Sequence, residues 1–241
     1  MAERTAGRTA AIVLAAGQGK RMKSSVQKQF MELAGKPLIV YALQRFEESE
    51  IDEIILVTGE ESVSYCREKI VEAFHFQKVT DVVAGGKERY HSVYAGLKAL
   101  DGRGISHVLI HDGARPLLTP QIIRDTLEGA RTYSACVAAV PAKDTIKLAD
   151  DHLFAARTLP RERLWQIQTP QAFSYPLIFD AYRRLFSAEE YQRGITDDAM
   201  VVETMAGTPV RLIPGDYRNI KVTTPEDMIL AEAFMWAAKE T

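Results

Sequence analysis

The sequence has few cysteines, little net charge and no long apolar segment. Its two cysteines, Cys66 and Cys136, are far apart and lack CxxC spacing, so we expect buried, reduced thiols and no disulfide framework. A net charge of -2 provides no overall attraction to nucleic acid or to an acidic membrane surface, and no apolar run is long enough to span a bilayer. We therefore expect a cytoplasmic protein that binds small molecules, with no nucleic acid or membrane partner.

Common motifs of metallohydrolases and of serine or cysteine nucleophiles are also missing. The chain has no HExxH, no CxxC pair, no GxSxG and no evident Ser, His and Asp set, and its five histidines do not group with the spacing of metal ligands. These absences leave phosphoryl and nucleotidyl transfer open, because a substrate phosphate oxygen can then be the nucleophile. We predict no metal centre built by the protein alone.

Short apolar segments alternate with segments of helical period along most of the chain. The predicted strands are residues 10–16, 53–58, 79–84, 107–111 and 135–140. Such alternation is typical of an α/β protein with a mainly parallel, Rossmann-like nucleotide-binding sheet and helices on both faces. Because no linker rich in Gly, Ser or Pro interrupts it, we expect one domain over residues 1–241.

Three segments contain residues that are typical of helix N-termini. Pro37 is suited to the first helical position and is predicted to begin the first helix. Thr119 before Pro120 predicts a second helix start, with the threonine as its cap. Thr224 is predicted to cap the last helix, which we expect to turn Leu230 toward the core.

The strand–helix alternation ends after Pro141. Residues 142–168 contain short alternating segments around an Ala-Asp-Asp turn, which predicts a β-hairpin. An isolated hairpin is only marginally stable in water. We therefore predict a protruding β-arm, residues 142–168, that packs against a second copy of the chain and forms a homodimer.

The first predicted strand leads into a glycine-rich loop. Gly17 and Gly19 lack Cβ atoms, which lets backbone NH groups approach phosphate oxygens, and Lys20, Arg21 and Lys28 add positive charge. The pattern is neither the Walker P-loop nor the GxGxxG fingerprint. A triphosphate site is one interpretation, and a tight turn with solvated lysines is the other.

Further polar residues follow the later strands. In α/β sheets ligands bind beyond the carboxyl ends of the strands, and Gly85, Gly86, Ser92, Asp112 and Arg115 all come at or soon after such ends. Arg161, Thr169, the pair Thr196 and Asp197, and Lys221 bring further groups suited to a phosphate site.

Several of these residues have a purely structural interpretation. Asp112 and Arg115 would form a surface ion pair, Thr196 would cap a helix, and Lys221 would be a solvated lysine at a strand end. An acid among several bases also favours a metal or ribose contact at Asp112. The shared chemistry of several strand ends favours a common site for phosphorylated ligands.

Eight motifs occur in a fixed order: LAAGQGKRM, KQF, AGGKERYHSV, HDGARP, PAKDTIK, LWQIQTPQAF, GITDDA and NIKVTTPEDM. Through them, and over residues 11–233, the chain resembles the 2-C-methyl-D-erythritol 4-phosphate cytidylyltransferases of the non-mevalonate isoprenoid pathway. The resemblance implies an arm that interlocks two subunits. It also implies cytidylyl transfer from CTP to methylerythritol phosphate, which yields 4-diphosphocytidyl-2-C-methyl-D-erythritol and pyrophosphate, with Mg²⁺ on the triphosphate.

The resemblance further implies roles for individual residues. The residues implied to stabilise the transition state at the α-phosphate are Arg21, Lys28 and Lys221. Those implied to hold the nucleotide are Ala15, Ala16, Gly17, Gly86 and Ser92, with Gly19 beside the phosphates and Asp112 near the ribose, metal and acceptor. The sugar phosphate would be received by Arg115, Thr145, Arg161, Thr169 and Thr196, some of them from the second subunit's arm.

Two other functions remain as alternatives. Ribitol 5-phosphate cytidylyltransferases share the arm, the lysines and the CTP chemistry, but the segments LAAG and HDGARP favour methylerythritol phosphate as the acceptor. A nucleotide-binding regulator without chemistry would be expected to lack the loop cations, and Arg21, Lys28 and Lys221 are all present. Lys87 departs from the family, in which an acid often occupies this position, so its side chain is not assigned a base contact.

Overall fold

The computed structural model describes residues 7–17 and 27–237, and its main element is a seven-stranded sheet. In chain order the strands are β1 Arg8–Ala15, β2 Glu32–Leu33, β3 Lys36–Pro37, β4 Glu53–Thr58, β5 Val79–Ala84, β6 Ile105–Asp112, β7 Ala135–Pro141, β8 Lys147–Ala149, β9 Ala155–Thr158, β10 Trp165–Ser174 and β11 Arg211–Pro214. The large sheet has the order β11-β7-β10-β6-β1-β4-β5.

The sheet is parallel except for one strand. β1 lies between β4 and β6 and is parallel to both, β5 is parallel to β4, and β11 is parallel to β7. β10 is antiparallel to both of its neighbours, β6 and β7. All strands of this sheet other than β10 therefore end at one edge, called here the carboxyl edge, and β10 begins there. The predicted mainly parallel sheet is confirmed.

Helices cover both faces of the sheet. They are α1 Leu38–Glu47, α2 Val63–Tyr65, α3 Arg89–Ala99, α4 Pro120–Tyr133, α5 Tyr175–Leu185, α6 Asp198–Ala206 and α7 Pro225–Ala237, and a π-helical segment, Cys66–Glu72, follows α2. Within the part of the chain that the structure describes, no helix combines the length and the apolar character that crossing a membrane requires.

Alternate residues of β1 supply the two apolar cores. Val13 packs in a core with Leu43 of α1 and Leu127 of α4, whereas Ile12 packs on the opposite face with Leu97 of α3 and with residues of α5 and α6. A strand that is covered on both faces must be apolar at successive positions. This requirement explains the continuous apolar run from which the strand was predicted.

Two predicted helix details are wrong and one is confirmed. α1 begins at Leu38, and Pro37 is its N-cap, because Pro37 pairs with Glu32 in the small β2–β3 sheet. Leu230 is 42% exposed, since apolar residues occur on every side of α7 and their spacing selects no buried face. The Thr119 hydroxyl accepts a hydrogen bond from the backbone N–H of Ile122 at 3.2 Å, as predicted for the cap of α4.

A hairpin lies within the predicted arm, residues 142–168, but the predicted end of the arm is wrong, because Trp165 to Ile167 belong to β10 and pair with β7 in the large sheet. β8 and β9 pair with each other as an antiparallel two-stranded sheet that is separate from the large one. Every residue from 143 to 158 is exposed, and near the turn Leu153 and Phe154 expose 88% and 72% of their surfaces. Exposed apolar surface of this kind is typical of sites that contact other proteins.

Candidate active site

A cleft of about 570 Å³ lies at the carboxyl edge, beyond the ends of β1 and β6. It collects residues that are distant in sequence but share the end of a strand or the segment that follows. Eight of the residues predicted for the site line it: Ala15, Ala16, Gly17, Lys28, Gly86, Ser92, Asp112 and Lys221. The structure thus brings together most of the predicted nucleotide-binding group.

The remaining predicted residues fall into two groups. Gly19, Lys20 and Arg21 lie outside the described residues. The others do not line this cleft in the described ranges: Arg115 and Thr169 neighbour Asp112, Thr145 and Arg161 are exposed in the arm, and Thr196 is exposed before α6.

A glycine turn after β5 forms one wall of the cleft. The backbone N–H of Gly85 donates to Thr58 O at 2.7 Å, and the N–H of Gly86 donates to Ser92 Oγ at 3.2 Å. A Cβ atom at Gly85 would lie 2.5 Å from Ser92 Oγ and 2.9 Å from Ala16 Cβ. Only glycine fits there, because the segment after β1 packs directly against this turn.

The N-terminal end of α3 also borders the cleft. Glu88 is its N-cap and Arg89 its first residue, and both line the cavity. The Glu88 N–H donates to His91 Nδ1 at 3.3 Å within a capping box. The positive end of the helix dipole therefore faces the cleft, which favours an anionic ligand.

Asp112 is the charged centre of the cleft. Lys221 Nζ lies 2.8 Å from its Oδ2 and Arg89 Nε lies 3.3 Å from its Oδ1. Burial alone would raise the pKa of Asp112, but the charges of Arg89, Lys221 and Arg115 outweigh it and lower that pKa well below its usual range. Asp112 is therefore ionised at neutral pH.

These contacts exclude two of the purely structural interpretations, the one of Asp112 with Arg115 and the one of Lys221. Asp112 is buried and pairs with Lys221 and Arg89, so a surface ion pair with Arg115 is the wrong description. Arg115 Nη1 instead donates to the backbone oxygen of Asn219 at 2.7 Å. Lys221 is bound to a carboxylate, and so it is not merely a solvated lysine at a strand end.

Lys28 and Lys221 converge although they are far apart in sequence. Lys28 Nζ donates to the backbone oxygen of Val222 at 3.2 Å. The Val222 N–H donates to Ala114 O at 2.8 Å, which holds the Lys221 segment alongside the end of β6. The two lysines thus belong to one electropositive cluster beside Asp112.

Gln29 is a further residue of the cleft that sequence reasoning did not identify. Its buried side chain donates to the backbone oxygen of Ala15 and, at 2.7 Å, to Oε1 of Gln27. Gln27 in turn donates to Glu61 Oε1 at 2.9 Å. The end of β1 and the segment carrying Lys28 are therefore tied together by side-chain amides.

His111 and Thr169 form a buried network under Asp112. The Thr169 hydroxyl accepts from the Asp112 N–H at 3.1 Å and lies 3.0 Å from His111 Nδ1. His111 Nε2 lies 3.3 Å from Arg115 O, an acceptor, so Nε2 carries the proton and Nδ1 accepts the Thr169 hydroxyl proton. Burial lowers the pKa of His111 from 6.5 to about 4 and keeps the ring neutral. The role of Thr169 in acceptor binding stays a prediction.

Arg89, Asp198 and Tyr182 were also missed. Arg89 donates from its two Nη atoms to the two carboxylate oxygens of Asp198, each at 2.8 Å, and Tyr182 donates to Asp198 Oδ1 at 2.6 Å. Asp197 caps α6 by accepting from the Met200 N–H at 3.0 Å, so Thr196 is not the cap. The motifs AGGKERYHSV and GITDDA contain Arg89 and Asp198, but their letters do not reveal the pairing.

Comparison with known proteins identifies close relatives. Residues 9–237 match the family model described as IspD, 2-C-methyl-D-erythritol 4-phosphate cytidylyltransferase. The enzyme of that name from Lachnospira eligens is 51% identical over 226 residues, covering 93% of this chain and 98% of the relative. That from Alkaliphilus oremlandii is 45% identical and covers 97% of each chain. The crystal structure of 4-diphosphocytidyl-2C-methyl-D-erythritol synthase from Anaerococcus prevotii matches with a TM-score of 0.82 and 33% identity, covering 95% of this chain and 96% of that one.

The buried neutral His111 predicts a pH-dependent stability. Because its folded pKa of about 4 lies below the ordinary 6.5, the unfolded chain binds more protons between these values and stability falls as pH falls through this window. From pH 7 to pH 5, wild-type protein should lose about 2 kcal/mol more unfolding free energy than the His111→Gln variant. Urea denaturation at both pH values measures this difference.

The matched control is His152→Gln, which changes an exposed histidine of the arm. This variant should keep the pH dependence of the wild-type protein. If His111→Gln kept it as well, His111 would not be held neutral in the fold.

Proposed function

The chain belongs to the 2-C-methyl-D-erythritol 4-phosphate cytidylyltransferase family, and we propose that the cleft at its carboxyl edge is where the family's reaction takes place. The chain is therefore a cytidylyltransferase: it transfers the cytidylyl group of CTP to 2-C-methyl-D-erythritol 4-phosphate in isoprenoid precursor biosynthesis. The relatives carry the name of this activity, and they do not favour ribitol 5-phosphate as the acceptor.

The observation that carries the proposed site is the meeting of Lys28, Lys221 and Asp112 beyond the end of β1. In the reaction, a phosphate oxygen of methylerythritol phosphate attacks the α-phosphorus of CTP. The new P–O bond forms as the bond to pyrophosphate breaks. Negative charge concentrates on the transferring phosphate in a partly dehydrated cleft, where fixed cations stabilise it most strongly. We assign this stabilisation to Lys28 and Lys221, together with Arg21.

The walls of the cleft suit the nucleoside. Backbone groups of Ala15, Ala16 and Gly86, with the Ser92 hydroxyl, surround a space of the size that binds small ligands. In this proposal they hold cytosine and ribose, Gly17 and Gly19 let the backbone approach the phosphates, and the positive end of α3 faces the anionic ligand.

Mg²⁺ is proposed as the accompanying cation. Mg²⁺ is commonly held by one or two carboxylates together with substrate phosphates, and Asp112 is an ionised carboxylate in the cleft. Its two oxygens already contact Arg89 and Lys221, so the triphosphate would supply most of the ligands. When bound, the ion neutralises part of the triphosphate charge.

The acceptor is proposed to bind where two chains meet. Thr145 and Arg161 belong to the exposed arm, and Arg161 Nη1 donates to Lys143 O at 3.0 Å. Neither residue lines the cleft of its own chain in the described ranges. In a homodimer held by the arm, these residues of one copy would complete the cleft of the other. Arg115, Thr169 and Thr196 are the other residues proposed to bind the sugar phosphate.

A cytoplasmic location is also proposed. Cys66 and Cys136 are free thiols buried in the core, and burial raises the pKa of Cys136 to about 12. Such thiols are unreactive and suit a reducing compartment. CTP is the proposed co-substrate, and the same compartment would supply it.

The activity itself is tested by pyrophosphate release. The assay combines CTP, UTP or ATP with either methylerythritol phosphate or ribitol 5-phosphate. We expect rapid release only with CTP and methylerythritol phosphate. Rapid release only with ribitol 5-phosphate would overturn the assigned acceptor.

Replacing Lys28 should affect catalysis more than folding. We expect Lys28→Ala to lower kcat by about 100-fold or more, because a cation acting on the transition state is removed. Steady-state kinetics measure the loss, and the melting temperature reports folding. Lys98→Ala is the control, since Lys98 is exposed in the last turn of α3. If Lys28→Ala turned over normally, Lys28 would not be catalytic.

The arm should control assembly. Light scattering at micromolar concentration is expected to give twice the mass of one chain. The double variant Leu148→Asp/Phe154→Asp places charge on two exposed apolar residues of the arm and should give single chains. Ile229→Asp, which changes an equally accessible apolar residue of α7, should leave the dimer intact. A monomeric, fully active wild-type protein would contradict both the dimer and the shared site.

A further inference from the structure

A chain of charged groups runs from the cleft into the interior of the protein. It begins at Lys221 and Asp112, continues through Arg89 and reaches Asp198, which is 0% exposed. Tyr182, also fully buried, ends the chain by donating a hydrogen bond to Asp198. A buried carboxylate is costly unless it is paired and hydrogen-bonded, and here both conditions are met.

The geometry at Arg89 makes Asp198 the group that sets its orientation. Both Nη atoms of Arg89 bond the two oxygens of Asp198 at 2.8 Å, which is a bidentate pair. A planar guanidinium held in this way has a fixed plane and direction. The third guanidinium nitrogen, Nε, then donates to Asp112 Oδ1 at 3.3 Å.

The position of Asp112 depends on this arrangement. Its Oδ1 faces Arg89 and its Oδ2 faces Lys221, so each oxygen has one cationic partner. Without Asp198, Arg89 would lose two of its three described carboxylate contacts and could rotate away. Of the two ion pairs described for Asp112, the one with Lys221 would then remain, and both groups could shift together.

We propose that Asp198, supported by Tyr182, is a positioning residue for cytidylyl transfer. It holds Arg89 against Asp112 and thereby fixes Asp112 and Lys221 in the cleft, without itself touching a substrate. The inference rests on the proposed function, because it takes the cleft to be the reaction site.

A purely structural role is the competing explanation, and the chain contains a matched case for comparison. Glu53 is 1% exposed and pairs with Arg8 at 2.8 Å and Arg103 at 3.0 Å. Glu53 begins β4, so this second buried ion cluster lies at the edge of the sheet opposite the cleft. It should contribute to stability in the same way while having no effect on the reacting groups.

The test compares Asp198→Asn with Glu53→Gln, each of which removes one buried charge at nearly constant size. We expect Asp198→Asn to lower kcat by about 10- to 100-fold, with a smaller rise in the KM of either substrate, because the misplaced groups act mainly in the transition state. Glu53→Gln should keep kcat within about twofold of wild type. Melting temperatures measured in parallel separate loss of folding from loss of catalysis.

Tyr182→Phe provides a second, milder variant in case Asp198→Asn folds poorly. It removes one hydrogen bond from Asp198 and leaves the Arg89 pair in place. We expect a loss of kcat in the same direction but smaller, again without a matching change in KM.

A double-mutant cycle shows whether Asp198 acts through Arg89. In an Arg89→Met background, adding Asp198→Asn should cause no further loss of kcat, because the connecting group is already gone. Equal, additive losses in the two backgrounds would overturn the inference. So would an equal loss of kcat in Glu53→Gln, or an unchanged kcat in Asp198→Asn.

A readout independent of turnover separates this inference from the proposed function. A crystal structure of Asp198→Asn should show Arg89 Nε and Asp112 Oδ1 no longer in contact. An intact contact would overturn the positioning role, even if the wild-type protein releases pyrophosphate as expected. Failure of the wild-type protein with CTP and methylerythritol phosphate would instead overturn the proposed function.

Discussion

The ionised carboxylate of Asp112 between Arg89 and Lys221 is the interaction on which the organisation of the cleft depends. Burial opposes this charge, and the surrounding cations outweigh the opposition. The carboxylate therefore requires that segments distant in sequence bring their cations to the end of β6. Arg89 comes from the start of α3 and Lys221 from the segment after β11. The attraction between the Asp112 carboxylate and these two cations holds the three segments together.

The central position of β6 explains how these segments meet. β6 lies between β1 and β10, and because β10 is antiparallel to its neighbours, its first half reaches the carboxyl edge. Thr169 of β10 can therefore bond both the backbone of Asp112 and the ring of His111. Just beyond the end of β6, the backbone oxygen of Ala114 accepts a hydrogen bond from the Val222 N–H. The position of the cleft thus follows from strand order, and its charge follows from the residues at the strand ends.

The arm, unlike the cleft, is not built from the ends of the large sheet's strands. Its residues form a hairpin with its own hydrogen bonds, but large side chains such as Leu153 and Phe154 remain exposed. The sheet is continuous without the arm, because β7, which precedes the arm in sequence, pairs directly with β10, which follows it. The arm therefore extends from the sheet without taking part in the packing under the cleft.

Local patterns in the sequence predict five of the seven strands of the large sheet, its mainly parallel arrangement and the chemistry of the strand ends, because apolar runs and glycine positions reflect burial and close backbone approach. They do not predict β10 and β11, and they place the first residues of β10 in the arm. The predicted strands at 53–58 and 79–84 have the observed bounds. Local patterns could not locate the buried face of α7, where apolar residues occur all round the helix and Leu230 is exposed. They also missed the capping position of Pro37, which depends on pairing with Glu32.

The pairing of the charges depends on the tertiary fold. Arg89 and Asp198 are 109 residues apart, and nothing in their local sequence distinguishes a buried bidentate pair from two solvated side chains. The neutral state of His111 likewise depends on burial and on partners from other segments. Charge and hydrogen-bond partners are set by distances in space, so they emerge only when strand order and helix packing place the side chains together.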